Sequence, residues 1–202
     1  NAVFLGIETP DEESLQMTKK FQNTRNSLIE SVELIAKTGL RVMAGFIIGF
    51  DGEKAGAGQR IVDFAEAAAI PSTTFGMLQA LPHTALSHRL AKEGRLRDKS
   101  GNLNQTTLMN FIPTRPLEDI AREYVQAFSD VYDPEKYLDR TYRHFLMLGA
   151  PTAKIPARVP SLIDLRALLT VVWRQGFKRS TRWKFWHHLF SIFKRNPAVW
   201  DH

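Results

Sequence analysis

The sequence predicts an α/β fold of parallel βαβ units followed by an α-helical extension, and three observations carry that reading. Three apolar runs, Ala2–Ile7, Val42–Phe50 and Thr73–Gln79, have the length of buried strands rather than of core helices. A stretch of helical periodicity follows each run, and strands alternating with helices at this spacing pair in parallel. After Leu96 the alternation stops, and prolines divide a helix-rich second half. Three such units do not close a barrel alone.

The first run is nearly continuous in apolar side chains, which predicts a strand covered on both faces. The chain enters it directly after Asn1, with no lead-in turn or cap, so a piece of a longer chain is expected. Pro10-Asp11-Glu12-Glu13 then predicts a helix whose first turn places carboxylates at the positive end of the helix dipole. A second helix is predicted from Thr24 or Asn26 to Lys37, with Leu28, Val32, Leu34 and Ile35 on its apolar side and Gly39 as its stop. The run Val42–Phe50 is long enough for a central strand and leads into the loop Asp51-Gly52-Glu53.

Helix is predicted over 58–69, strand over 73–79, and helix over 84–93 closed by Gly94. Residues 97–106 are polar and read as a loop or hairpin. Pro113 and Pro116 bracket the start of a helix over 117–131, and the cap Asp133-Pro134 begins another over 132–148. Pro151, Pro156 and Pro160 mark a linker before two last helices, over 161–174 and 181–195. No internal repeat is visible.

A chain of 202 residues with 44% hydrophobic and 24% charged side chains can build one domain with a sizeable core, or an incomplete domain plus an appendage. It contains no apolar run of about 18 residues, the length a membrane span needs. Nor does it open on a charged-then-apolar stretch of the signal-peptide kind, and a cytoplasmic location is the expectation. The absence of cysteine excludes disulfides, thiolate metal sites and cysteine nucleophiles within these residues. The net charge of +6 belongs to the tail: from Leu165 to Trp200 there is no Asp or Glu, while eight Lys and Arg residues fall inside that stretch.

Gly6-Ile7-Glu8-Thr9 puts a carboxylate and a hydroxyl at the C-terminal end of a parallel strand, where barrels of this kind build their active sites. A carboxylate there serves equally well to bond neighbouring backbone. In Gly45-x-Ile47-x-Gly49, glycines inside a strand mark either the close approach of a flat ligand or room for helix-to-strand packing. No G-x-x-x-x-G-K and no G-x-G-x-x-G precedes the following helix, so this is not a phosphate loop. In Leu78-Gln79-Ala80-Leu81-Pro82-His83-Thr84 a strand ends and a turn enters a helix, with Thr84 as N-cap and His83 in the turn, where a lone histidine is ordinarily solvated.

Taken in order, Gly6-Ile7-Glu8-Thr9, Gly45-Phe46-Ile47-Ile48-Gly49-Phe50-Asp51, and Ala80-Leu81-Pro82-x-Thr84-x-Leu86 with Glu93-Gly94-Arg95-Leu96 resemble the fourth, fifth and sixth strand regions of radical S-adenosylmethionine (SAM) barrels. Asn110-Phe111-x-Pro113 and the helices after it resemble the C-terminal extension of the cobalamin-binding subgroup, which includes hopanoid methylases. The resemblance implies an α/β fold in which residues 1–96 form the C-terminal half of a partial (β/α)6 barrel and residues 97–202 an α-helical extension ending in a basic aromatic tail.

It further implies that a four-iron four-sulfur cluster, held by a CxxxCxxC loop outside this chain, reductively cleaves SAM to a 5′-deoxyadenosyl radical that functionalises, by methylation, an unactivated carbon of a small molecule or lipid. Implied with it are an electron donor such as flavodoxin or ferredoxin, and cobalamin in an upstream domain. Residue by residue, Glu8 and Thr9 would face the ribose or methionine part of SAM. Gly45, Ile47 and Gly49 would lie against adenine, Leu78 and Gln79 would finish its side, and Glu53 would fix its own loop. No catalytic residue and no metal ligand is assigned within the chain, so alone it is expected to be inactive. The family pattern commonly has Gly where this chain has His83, which leaves the geometry of that turn open.

In Thr181–Arg195 aromatic residues recur at helical spacing among cations. Such a helix docks its aromatic face on the barrel, or lies on a membrane, or, less in keeping with the pattern, binds nucleic acid. Two other function classes compete with the radical SAM reading. One is a noncatalytic binding module that uses the basic helices. The other is a different (β/α) enzyme that uses Glu8 as acid or base with Gln79 or Asp51.

Overall fold

A computed structural model describes residues 1–10, 28–97, 108–151 and 161–198. Strands β1 (Ala2–Glu8), β2 (Arg41–Ile48) and β3 (Ser72–Met77) form one parallel sheet in the order β1-β2-β3, with β2 central as its length predicts. The register aligns Gly6 with Gly45 and Gly45 with Thr74, and Ile47 with Gly76. Seven α-helices lie among the described residues: α1 (Leu28–Lys37), α2 (Ala57–Ala67), α3 (Ala85–Lys92), α4 (Leu117–Val131), α5 (Pro134–Met147), α6 (Leu162–Trp173) and α7 (Arg182–Arg195). A π-helical turn, Arg174–Lys178, joins the last two.

Side chains alternate across a strand, and here burial alternates with them. Ile7, Val42, Ala44, Phe46 and Phe75 point to one face, where Val32 of α1, Ile61 and Val62 of α2, and Ala127 and Val131 of α4 close over them. Phe46 sits at the centre, 5.9 Å from Phe75 and 6.0 Å from Phe64 between ring centroids. The opposite face carries Phe4, Gly6, Glu8, Gly45, Ile47, Thr74 and Gly76, and no described helix covers it. Among the described residues β1 is therefore clothed on one side only, against the expectation of two. Its run of apolar residues read as doubly buried because Phe4, although 56% exposed, and Gly6 fill the outward positions without polarity.

Local chemistry sets the element ends. Thr84 caps α3 by accepting from the Ser87 amide at 3.2 Å, and Asp133 Oδ1 caps α5 by accepting from the Glu135 and Lys136 amides at 3.1 Å each. Ser161 and Asp164 form a reciprocal capping box on α6. Gly39, with φ of 84°, ends α1, and its backbone passes too close to Ala150 for any side chain. β2 stops at Ile48, short of the predicted Phe50. Leu34, placed by the sequence on the inner side of α1, is 66% exposed: it lies two residues beyond the buried Val32, which on a helix is nearly the opposite face. Residues 11–13 of the first predicted helix, the predicted start of the second at Thr24 or Asn26, most of the loop over 97–106, Pro156 and Pro160 lie outside the described residues.

The extension is joined to the sheet half by specific contacts. Gly58 of α2 meets α4 so closely that a Cβ would stand 2.6 Å from the Glu123 carbonyl oxygen. Asn110 Oδ1 accepts from the Ala80 amide at 2.8 Å and its Nδ2 donates to the Ala80 carbonyl at 3.0 Å, a two-point clasp on the loop after β3. Fully buried Arg140 of α5 pairs with Glu66 and donates to the Val131 carbonyl at 2.6 Å.

Candidate ligand-binding cleft

The uncovered face of the sheet floors a cleft of about 370 Å³. Strand register puts small residues in its middle: Gly6 and Gly45 side by side, Thr74 next, and Gly76 beside Ile47. Phe4, Ile47, Leu78 and Leu81 supply apolar walls, while Glu8, Thr74 and Gln79 supply polar groups. A floor with few Cβ atoms lets a flat ring lie on backbone, and mostly apolar walls with a few polar groups are the composition of small-molecule sites. At Gly76 a Cβ would meet nothing within 4 Å, so this part of the floor is open. At Gly45 it would come within 2.8 Å of the Phe4 ring, so the missing side chain there seats an aromatic edge.

Glu8 stands at the lip of this floor. Its φ of 68° is a left-handed conformation that costs a non-glycine residue on the order of 1 kcal/mol, and the β1–β2 register slips between Gly6 and Glu8. The bulge turns the Glu8 carboxylate back over Gly6, where Oε1 lies 3.0 Å from the position a Cβ would take. A carboxylate is thereby presented at a strand end inside an apolar cleft.

Of the seven residues that the resemblance assigns to SAM, the fold brings Glu8, Gly45, Ile47, Leu78 and Gln79 to the cleft. Thr9 is buried, and Gly49 faces elsewhere; neither lines it. Gly49 answers to backbone and packing: its φ is 99°, and a Cβ would press on Met109. Its amide donates to Glu53 Oε2 at 2.7 Å, so Glu53 fixes its own loop as expected. Burial with the carboxylate removed from water pushes the Glu53 pKa up to about 7, against the pull of the Gly49 amide and of Arg115. Gln79 Nε2 donates to the Leu108 carbonyl at 3.0 Å, which ties the cleft edge to the extension.

Asp51, a possible partner for Glu8, is engaged elsewhere. Arg95 grips both of its oxygens, at 2.7 and 3.0 Å, and Arg89 adds a contact at 2.7 Å. The Arg95 hydrogen bonds hold the Asp51 carboxyl below the usual carboxylate range, and the residue is not part of the cleft lining. His83 has φ of 63°, a left-handed conformation that glycine takes most easily, so the turn has the backbone a glycine would suit with histidine in that place. Phe4, Thr74, Gly76 and Leu81 were not picked out as cleft residues from the sequence. Counting back by twos finds Phe4 from Glu8 along β1, and Gly76 and Thr74 from Leu78 along β3; nothing in the sequence identifies Leu81.

Comparison with known proteins gives two relatives. An uncharacterized methyltransferase of Synechocystis sp. is 70% identical over 203 residues, covering 100% of this chain and 38% of the relative. The hopanoid C-2 methylase of Rhodopseudomonas palustris is 28% identical over 190 residues, covering 91% of this chain and 35% of the relative. The chain thus spans little more than a third of the length of the curated relatives it matches. A family model, described as a domain of unknown function (DUF4070), matches residues 84–202, the segment that begins at the cap of α3 and contains the Asn110 clasp and every later helix. The chain belongs to the DUF4070 family.

Proposed function

We propose that this chain is the C-terminal half of the partial barrel, with its helical extension, of a radical SAM methyltransferase, and that the glycine-floored cleft holds SAM. The observation that carries the reading is the uncovered, parallel, glycine-lined sheet face with a carboxylate bulged over its end. The names of the two relatives, a methyltransferase and a methylase, support a methylating role and do not favour a noncatalytic module. A barrel wall has one face against helices and one toward the barrel axis, and a parallel sheet with helices on one face is in keeping with that reading.

SAM fits the residues present. Its adenine would rest on the floor by Gly76 and Ile47, with Leu78 as an apolar wall. Glu8 would accept hydrogen bonds from ribose hydroxyls or the ammonium group. Bound there, SAM supplies the group that is cleaved; the chain's own part is to orient it and to keep water from the apolar floor. The chain has no cysteine, so its residues do not fit as ligands of a four-iron four-sulfur cluster, and no step is assigned to one. Cobalamin has no assigned residue either.

The test uses the full-length parent, reconstituted anaerobically with iron and sulfide. Reductive formation of 5′-deoxyadenosine from SAM is expected, together with weakened SAM binding in Gly76→Val, which fills open space without straining the strand. A loss of about tenfold in affinity corresponds to about 1.4 kcal/mol of lost contact. An intact parent that forms no 5′-deoxyadenosine would overturn the radical chemistry, and unchanged affinity in Gly76→Val would overturn the cleft.

A further inference from the structure

Helix α6 has no buried residue, although Leu162, Ile163, Leu165, Leu168, Leu169, Val171, Val172 and Trp173 make it apolar almost all round. Leu162 is 86% exposed, Ile163 79% and Trp173 63%. A soluble domain rarely leaves so much contiguous apolar surface in water, and surface of this kind marks a place of interaction. The turn that follows α6 is nevertheless packed on α7. The π-helical turn links α6 to α7, Trp186 Nε1 donates to the Gly176 carbonyl at 2.9 Å, and the rings of Trp173, Phe177, Trp186 and Phe190 follow one another at 5.8–6.0 Å. α7 in turn docks on α5: Lys184 and His188 each lie 2.8 Å from Asp139, and His188 stacks on Tyr142. That docking uses the polar side of α7 and leaves Trp183 74% and Phe190 67% exposed, on the helix that the π-helical turn joins to α6.

The charge around this surface bears on what it fits. Arg174, Lys178, Arg179, Arg182, Lys194 and Arg195 are exposed and have no acidic partner among the described residues. No acidic residue occurs between Leu165 and Ala198. A second copy of the chain on this face would bring two such cationic groups together, which like-charge repulsion opposes. Nucleic acid would find leucine, isoleucine and valine on α6 where base stacking needs aromatic planes. A bilayer with anionic headgroups satisfies both features, since its acyl region accepts an aliphatic helix and its surface attracts unpaired Lys and Arg. At 1.5 Å per residue the 12 residues of α6 extend about 18 Å, well short of the roughly 30 Å hydrocarbon core, so α6 lies in the interface and does not span it.

We propose that α6, the π-helical turn and the start of α7 form a membrane-docking element that seats the protein on an anionic lipid surface, with α6 below the headgroups and the cations among them. This inference needs no cofactor and stands whether or not the cleft binds SAM.

The test is sedimentation of the full-length parent with phosphatidylcholine vesicles, with and without phosphatidylglycerol. Binding should be at least about tenfold tighter with the anionic lipid, because each basic residue near such a surface is worth roughly 1 kcal/mol, and it should weaken as salt is raised. The double variant Leu168→Glu/Leu169→Glu should lose vesicle binding, and Arg174→Glu/Lys178→Glu/Arg179→Glu should lose the preference for anionic lipid. Both should keep the wild-type melting temperature, since these side chains are exposed. Equal binding to both vesicle types overturns the anionic surface, and no binding to either overturns membrane docking. So does a dimer or an RNA complex that Leu168→Glu/Leu169→Glu abolishes while vesicle binding persists. The wild-type comparison between the two lipid mixtures decides the matter even if a variant fails to fold.

Discussion

The sheet and the segment from α6 through α7 are both rich in apolar residues, and they use them in opposite ways. In the sheet, alternation sends Ala44, Phe46 and Ile48 into a closed core and leaves a narrow cleft with a glycine floor on the other side. In α6, apolar side chains face nearly every direction and none is buried. The contrast teaches that hydrophobicity by itself does not tell core from contact surface. What separates them is whether neighbouring elements arrive to cover the residues, and that depends on topology.

The largest test of this contrast removes the centre of the sheet core. Phe46→Ala should cost about 3–5 kcal/mol in chemical denaturation, the usual range for a buried aromatic truncated to alanine. A cost below about 1 kcal/mol would mean that the covered face is not closed. Next comes the joint between the halves. Asn110→Ala leaves the buried Ala80 amide and carbonyl without partners and should cost about 2–3 kcal/mol. Asn110→Asp, which keeps only the acceptor, should also destabilise the protein.

Glu53 adds a pH dependence. Its carboxyl pKa is raised from an ordinary 4.5 to about 7, so the folded state holds the proton more tightly than the unfolded chain does. The stability this gives is fully present below about pH 4.5 and is lost as pH rises through about 7. Glu53→Gln keeps an acceptor for the Gly49 amide and should flatten unfolding free energy across that window. A slope that persists in the variant would have to come from another group. The smallest effect is expected in α6: Leu168→Ala should change stability by less than about 0.5 kcal/mol, because the side chain is already in water. A loss near that of Phe46→Ala would show α6 to be covered in solution.

Much of this was legible in the residues. The helix over 117–131 was bracketed by Pro116 at its start, and Thr84 and Asp133 announced their helices because a cap needs only a few consecutive residues, whereas the Ser161 cap emerged only in the structure. Glycines at Gly45 and Gly49 looked alike in sequence, yet one borders the cleft and the other holds a loop against Met109. Glu8 and Asp51 were equivalent as carboxylates at strand ends, and the fold gives one to the cleft and the other to two arginines.

The amino-acid sequence by itself determined where strands and helices form, which residues cap them, and that positive charge gathers in the tail, because periodicity, capping and composition act over a few neighbouring positions. Only the tertiary structure decided that one face of the sheet stays open, that Thr74 and Gly76 share a floor with Gly6 and Gly45, and that α6 is left bare. Each of these depends on which distant segments meet, and that is set by strand register and helix packing across the whole chain.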